Sequence, residues 1–477
     1  MRALAIVLFL LLAGCSLAPK LEQPAMDVPA QWKELSEAER GSWKTAQPAD
    51  AAPRGEWWKV FGDPVLDQLE AEAIAANQNL KVTAARVAQA RAIVGVVNAD
   101  RYPQFGYGFG PTRAQLTGVS QGLPSGTPVA PFTAWRGLLT ASYEVDLFGR
   151  IGDSVAAARS DYGATQANYL SVLLALQADV AQTYFGLGQT DAELAVLRET
   201  VTLREESLKL VQRRFDAGDI SELDLARAKT QLYLAQNDAI ALERRRAELE
   251  HGLAVLLGRP PASLDVARAP LLSAVPAIPA GLPSTLLERR PDIAAAQRLM
   301  AASNSRIGVA KAAFFPVLNI TAYGGFESSS LSDLFNWSSR TWALGPLFGT
   351  MLTGPIFDGF RNQSNLERSY AALEEQVAGY RQTVLAAFAE VEDNLAALRT
   401  LAGQANAMRD SADSAGRALK IADTRYRAGA TGYLDVIDAQ RTLLEVQLID
   451  VRIRGARAIS TVALVRALGG GWGAEQD

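Results

Sequence analysis

The 477-residue chain carries 47 basic and 51 acidic residues, and its formal net charge of -4 offers no basic excess with which to hold a nucleic acid. With 49% hydrophobic and 21% charged residues, it has the composition of a folded protein and not of a disordered one. One histidine, His251, and one cysteine, Cys15, are too few for a His/Cys metal centre or a Ser–His or Cys–His nucleophile pair. No cofactor is expected, and an enzyme here would have to work with carboxylates alone.

At the N-terminus, Arg2 precedes an apolar run from Ala3 to Leu12, closed by Leu12-Ala13-Gly14-Cys15. The run is too short to span a bilayer and has the proportions of a signal peptide, residues 1–14. Small residues directly before a cysteine resemble the lipobox of bacterial lipoproteins, which implies that cleavage leaves Cys15 acylated. Each buried acyl CH₂ contributes about 0.8 kcal/mol, so several chains anchor firmly. An ordinary secretory signal with an incidental cysteine is the alternative. Ser16 follows, where lipoproteins retained in the inner membrane carry aspartate, so the expected address is the outer membrane.

The chain then repeats itself. Asn79-Leu80-Lys81 leads through Ile93-Val94-Gly95-Val96 to Tyr102-Pro103, and Asp292-Ile293-Ala294 leads through Arg306-Ile307-Gly308-Val309 to Phe315-Pro316. Arg214-Phe215-Asp216-Ala217-Gly218 and Leu223-Asp224 recur as Arg425-Tyr426-Arg427-Ala428-Gly429 and Leu434-Asp435. The offset is about 211 to 213 residues in every case, which is a tandem duplication. The expected division is an N-terminal segment 15–62, a first repeat 63–259, a proline-rich linker 260–283, a second repeat 284–468 and a tail 469–477.

In each repeat the first candidate strand follows a proline. Phe105, Tyr107 and Phe109 alternate with Gln104, Gly106 and Gly108; Leu318, Ile320 and Ala322 alternate with Val317, Asn319 and Thr321. Such alternation over about ten residues suits a transmembrane strand better than a helix. Return strands are expected at 135–145 and 342–353, with external loops at 118–133 and 328–339. A soluble β-domain would show the same alternation.

A long helix follows each hairpin. Leu173, Val180, Leu187, Leu194, Val201, Leu208 and Phe215 recur at every seventh place, as do Val377, Val384, Val391, Leu398, Ala405, Ala412, Leu419 and Tyr426. That period implies coiled-coil-like packing, and without an interrupting proline each helix would run about 95 to 100 Å. Second helices are expected from Ser221 to Leu257 and from Thr431 to Leu468, with Ser221 and Thr431 as caps.

Four strands per chain cannot close a barrel, because an open edge in a bilayer leaves backbone groups unsatisfied at several kcal/mol each. Copies must therefore pool their strands. Two copies leave little room inside and three leave a lumen, and this argument alone does not choose between them.

These features resemble the TolC family of outer-membrane efflux channels, in its OprM-like lipoprotein branch. The resemblance rests on Glu288-Arg289-Arg290-Pro291-Asp292-Ile293, on 307–316, on Asp146-Leu147-Phe148-Gly149-Arg150, on Gly354-Pro355-Ile356-Phe357-Asp358-Gly359 and on Trp57-Trp58 with Phe61, Asp63 and Pro64. It implies a mixed α and β membrane protein acting as a homotrimer. A shared transmembrane β-barrel of four strands per chain would continue into a long coiled-coil-like α-barrel, with an equatorial belt built from the N-terminal segment, the linker and the C-terminal segment. It also implies a periplasmic adaptor, an inner-membrane pump that is usually proton-driven, and no energy source in the channel itself.

Gly218 and Gly429 suit the left-handed turn that ends a helix, and in the family the matching turns meet the adaptor. They would also be there simply as good turn residues. Asp435, Asp438 and Arg441 lie three apart on one helix face. Acids in a first turn favour the helix dipole, and Asp438 and Arg441 could form a surface pair. In the family, however, the positions of Asp435 and Asp438 form the pore constriction, and those of Asp224 and Tyr426 lock neighbouring helices shut. Thr431 departs from TolC itself, which has an arginine of that lock there. The expected gate is therefore Asp435, Asp438, Arg441, Asp224 and Tyr426, opened by untwisting of the helix tips. Two rivals stand beside this reading: a lipid-tethered coiled-coil spacer, which leaves the strands unexplained, and a carboxylate hydrolase, which leaves the duplication unexplained.

Overall fold

The computed structural model describes residues 16–29, 31–34, 55–268, 271, 276, 278, 286–287, 289–345 and 351–470. Cys15, the signal peptide and the tail beyond residue 470 lie outside the described residues, as does much of the proline-rich linker. The chain divides into two compact units, one from Met1–Ala25, Arg86–Thr165 and Ala296–Tyr380, the other from Met26–Ala85, Gln166–Ala295 and Arg381–Asp477.

In chain order, a 3-10 turn Trp57–Phe61 is followed by α1 (Pro64–Ala76), α2 (Gln78–Ala99), β1 (Gln104–Ala114), β2 (Phe132–Val145), α3 (Arg150–Asp216) and α4 (Glu222–Leu256). Then come α5 (Pro291–Ala312), β3 (Val317–Ser328), β4 (Arg340–Leu344), β5 (Leu352–Thr353), α6 (Arg361–Arg427) and α7 (Tyr433–Ala467). The helices match in length across the chain: α3 and α6 have 67 residues, α4 and α7 have 35, and α2 and α5 have 22. None of the seventh-place residues expected to face a neighbour is exposed, and Val180, Leu187, Val384 and Val391 are wholly buried. A window of α3 is apolar enough to cross a membrane, yet half of it is buried within the chain. Its hydropathy is that of a packing seam.

In the first unit, the strands form one antiparallel sheet in the order β1-β2-β3-β4, with β5 also on β3. At 11, 14 and 12 residues, β1, β2 and β3 are long enough to cross a bilayer when tilted. The fourth expected strand, 342–353, is described as two pieces on the same edge of β3. Ala322 faces Leu344 but Leu318 faces Leu352, so the returning chain carries four more residues than β3 between those pairs. Residues 346–350 lie outside the described residues.

The register sorts most side chains by chemistry, the exceptions being Arg113 and Arg340 on the apolar face and Phe132, Leu138 and Tyr323 on the polar one. One face carries Phe105, Tyr107 and Phe109, then Trp135, Leu139 and Tyr143, then Leu318, Ile320 and Phe326, then Trp342, Leu344 and Leu352. The other carries Gln104, Thr112, Arg136, Thr140, Ser142, Glu144, Asn319, Thr321 and Glu327, with Arg136 paired to Glu327 at 3.0 Å. Both faces are exposed in part: Tyr107 (87%) and Trp342 (78%) on the apolar one, Gln104, Thr140, Ser142 and Asn319 on the polar one.

Both strand-to-helix junctions are capped by an aspartate from a quoted motif. Asp146 accepts the amides of Ile151 (3.1 Å) and Gly152 (2.7 Å), and Asp358 accepts that of Asn362 (2.9 Å). These bonds satisfy donors that a helix start otherwise leaves orphaned. Arg150 forks onto Glu144 with two 2.7 Å bonds, and Phe148 stacks on Phe315 at 4.5 Å.

The second unit has its core around Trp57, Trp58, Leu66, Leu187, Leu253, Leu257 and Val462. Asp63 caps α1 ahead of Pro64, accepting from Val65 and Leu66, and takes the Tyr184 hydroxyl at 2.8 Å. Trp57 donates its indole N–H to Gln177 at 3.1 Å. Residues 31–34 lie on α6, where Trp32 meets Phe388 and the amides of Lys33 and Glu34 reach Glu392.

Candidate gate and docking sites

Both long helices end the same way. Gly218, at φ +79°, donates to Phe215 O (2.9 Å), and Asp219 donates to Arg214 O (2.9 Å). Gly429, at φ +72°, donates to Tyr426 O (3.0 Å), and Ala430 donates to Arg425 O (2.9 Å). This is the Schellman arrangement, in which a left-handed residue lets two amides fold back onto the last carbonyls. A Cβ at either glycine would meet nothing within 4 Å. Backbone conformation alone therefore demands glycine here. Gly218→Ala and Gly429→Ala should each cost about 1–2 kcal/mol in urea unfolding, with asparagine losing less. An equal loss for alanine and asparagine would show that something other than φ is at work.

The helix caps differ from expectation at one turn. Ser221 is the N-cap of α4, although its hydroxyl reaches the Asp224 carboxylate (3.2 Å) and not a backbone amide. The N-cap of α7 is Gly432, not Thr431, whose hydroxyl is buried without a partner among the described residues. The offset of 211 residues that relates Asp224 to Asp435 makes Gly432, not Thr431, the counterpart of Ser221. Register, not residue type, decides where the helix begins.

The two turns are joined by a small core of Val211, Leu225, Ala228, Tyr426, Tyr433, Val436 and Ile437. Tyr426 is buried there, its ring 5.3 Å from that of Tyr433 and 4.8 Å beneath the Arg214 guanidinium, which also reaches the Tyr426 carbonyl at 3.4 Å. The Tyr426 hydroxyl has no partner among the described residues. Burial raises the Tyr433 phenol to about 12. Burial lowers the Arg204 guanidinium, which donates to the Gln231 carbonyl at 2.5 Å.

Asp224 is occupied by its own helix turn, between Ser221 and Arg227 (3.6 Å). Asp435, Asp438 and Arg441 are all exposed on α7, and Arg441 lies near enough to the buried Arg204 to lower its guanidinium further. Among the described residues none of the three makes an ion pair, so Asp438 and Arg441 do not form a surface pair within the chain. Tyr426 is thus drawn into the tip core, while the three charged residues are left exposed.

In the first unit the start of the described chain is held in place. The Ser16 hydroxyl donates to Asp153 at 2.6 Å, the Ala18 amide reaches Ser16 Oγ at 3.2 Å, and Asn304 donates to the Pro19 carbonyl at 2.7 Å. Asp153 lies in the first turn of α3, eight residues after β2 ends at Val145. Burial raises its carboxyl above the ordinary range, opposed by the Ser16 hydroxyl and the amides of Leu17 and Ala18. Gly308 makes the room: a Cβ there would stand 2.0 Å from Asp153 Oδ2 and 2.8 Å from the Ala18 nitrogen, whereas at its repeat counterpart Gly95 it would meet nothing. Gly308→Ala should displace the segment at about 1–3 kcal/mol. Amide exchange at Leu17 and Ala18 should then rise by roughly tenfold or more, and unchanged exchange would refute the dock.

The family model described as "Outer membrane efflux protein" matches residues 69–259 and again 282–470. The toluene efflux pump outer membrane protein TtgI of Pseudomonas putida is 37% identical over 100% of this chain and 99% of its own. The cation efflux system protein CusC of Escherichia coli is 34% identical over 97% of each. The chain belongs to the outer membrane efflux protein family. The solved structure of the CmeC outer membrane channel of Campylobacter jejuni superposes with a TM-score of 0.86, at 26% identity over 97% of this chain and 96% of that one.

As an outer membrane efflux protein, the chain is a component of an efflux pump in the outer membrane, with a large helical periplasmic portion, and its family is one of channels, not of enzymes. The Arg290 motif then acquires a role that the sequence reading left open. Arg290 forks onto Asp292 (2.6 and 3.0 Å), reaches Glu390 (2.5 Å) and donates to the Ala467 carbonyl (3.1 Å). One buried guanidinium thereby ties the start of α5 to α6 and to the end of α7. The signal for it was present as Arg-Pro-Asp at a helix start, but its partners lie 100 and 177 residues away. Arg214 was likewise visible as a repeat marker, and Asp153 carried no signal at all.

Proposed function

We propose that this chain is the channel subunit of a tripartite efflux system, passively conducting what an inner-membrane pump and a periplasmic adaptor deliver. It works as a homotrimer whose strands close one barrel and whose long helices continue it as an α-barrel, two tandem repeats per chain. The observation that carries this reading is the two-sided sheet. One face carries large exposed apolar side chains such as Tyr107 and Trp342, the other bears an ion pair, and β1 at one end and β4 and β5 at the other each have one strand neighbour among the described residues. Such an edge is costly in a bilayer, and a ring of copies removes it.

Cys15 carries the lipid anchor, including palmitate. The dock of Ser16 on Asp153 supports this, because it holds the residue directly after Cys15 on the first turn of α3, the helix that follows β2. The turns at Gly218 and Gly429 meet the adaptor. Asp435, Asp438 and Arg441 line the constriction, Asp224 and Tyr426 hold the tips together, and an iris-like untwisting of the tips opens it. The exposure of the three charged residues, with no ion pair among the described residues, supports a place facing other copies or the lumen. The pump is proton-driven, and the cargo is chosen there.

The test is purification from outer membranes after extraction with detergent. Native mass should correspond to three acylated chains, and planar bilayers should pass current. A monomeric, water-soluble species without current would overturn the proposal.

A further inference from the structure

The second external connection, between β3 and β4, folds back over the apolar face of the sheet. The Phe335 ring lies 5.7 Å from that of Phe326, and one of its carbons comes 3.6 Å from where a Cβ on Gly137 would stand. This brings the connection around to Trp337, whose ring sits 4.5 Å beneath the Arg340 guanidinium. Arg340 pairs in register with Phe326, so it shares the outward face with Trp342 and Leu344. Trp337 and Trp342 are 74% and 78% exposed.

An arginine on the outward face is an anomaly that depth resolves. A cation facing lipid costs about 2–4 kcal/mol at the midplane and about 0–1 kcal/mol near an interface, where tryptophans also concentrate. Arg340 therefore stands at headgroup depth, at the external rim. What it lacks is an anion. Arg136 on the opposite face has Glu327 at 3.0 Å, but Arg340 makes no ion pair among the described residues. The carboxylate in the same connection, Asp333, is engaged by Asn336 at 3.2 Å, and its carbonyl accepts from Ser339. The tryptophan beneath holds the guanidinium flat, with its N–H fork free to take two oxygens at once.

We infer that Arg340, seated on Trp337, is a binding site for the phosphate group of a lipid in the outer leaflet. The lipid's acyl chains lie along the apolar band below it, past Trp342, Leu344 and Phe326. The phosphate provides the missing counter-charge, and the band provides the apolar contact that a free phosphate ion could not use.

The experiment uses the full-length acylated channel in nanodiscs containing lipopolysaccharide, the phosphorylated glycolipid of the outer leaflet, or the same lipid after enzymatic dephosphorylation. Retained lipid is counted by native mass spectrometry. The wild type should hold the phosphorylated lipid about tenfold more strongly than the dephosphorylated one, and Arg340→Gln should erase that difference. Arg340→Lys should keep part of it, since a lysine retains the charge but loses the fork, and Trp337→Leu should fall between. Equal retention by wild type and Arg340→Gln would overturn the inference. So would loss of all bound lipid on adding millimolar inorganic phosphate, which would mark a simple ion site. Planar-bilayer current recorded on the same preparations separates this result from failure of the channel reading itself.

Discussion

Replacing both Asp435 and Asp438 with alanine should raise single-channel conductance in planar bilayers and abolish preference for cations over anions. The resistance of a path in series is concentrated at its narrowest part, so widening the constriction outweighs the loss of cations gathered by the carboxylates. The two effects can be separated. Asp435→Asn with Asp438→Asn removes charge but keeps bulk, and should lose selectivity without gaining conductance. Folding should survive both, because each residue is exposed and neither has an ion pair to lose among the described residues. Asp435 stands in the first turn of α7, so its loss should cost no more than about 0.3–1 kcal/mol. Unchanged conductance in the alanine double variant would remove both aspartates from the constriction.

Thermodynamic stability should fall as pH rises from about 4.5 to about 9, and Glu70→Gln should flatten that fall. Glu70 is fully buried in α1, and neither of its carboxylate oxygens has a partner among the described residues. Burial, aided by the negative Asp67, pushes its carboxyl from 4.5 to about 9. An ionised carboxylate at that position would be left without compensation, so the folded chain keeps the proton. Between those two values the folded state binds one proton more than the unfolded state, and each pH unit weakens folding by up to about 1.4 kcal/mol. The contribution is complete below 4.5 and gone once pH has passed 9. Urea unfolding of the detergent-solubilised protein at about pH 5 and about pH 8.5 is the measurement. The variant should gain on the wild type at the higher pH and not at the lower; parallel profiles would show that Glu70 is not the titrating group.

What residue order determined by itself was everything periodic. Hydrophobic residues at every seventh place without an intervening proline specified the long helices α3 and α6, and alternation specified β1 and β3. Gly218 and Gly429 marked the ends of the long helices, because a left-handed residue is a local requirement that only a few side chains meet. Tertiary structure decided what depends on partners far along the chain. Gly95 and Gly308 are alike as letters in a repeat, yet only Gly308 has a backbone nitrogen and a carboxylate pressed against it. Arg290 and Tyr426 stand in visible motifs, but their partners Glu390 and Arg214 lie 100 and 212 residues away. Periodicity reports which side of an element is buried relative to its own axis. It is silent on which distant element arrives to cover that side, and that arrival placed Ser16 on Asp153, left Asp435 and Asp438 exposed, and set Arg340 over Trp337 without an ion pair among the described residues.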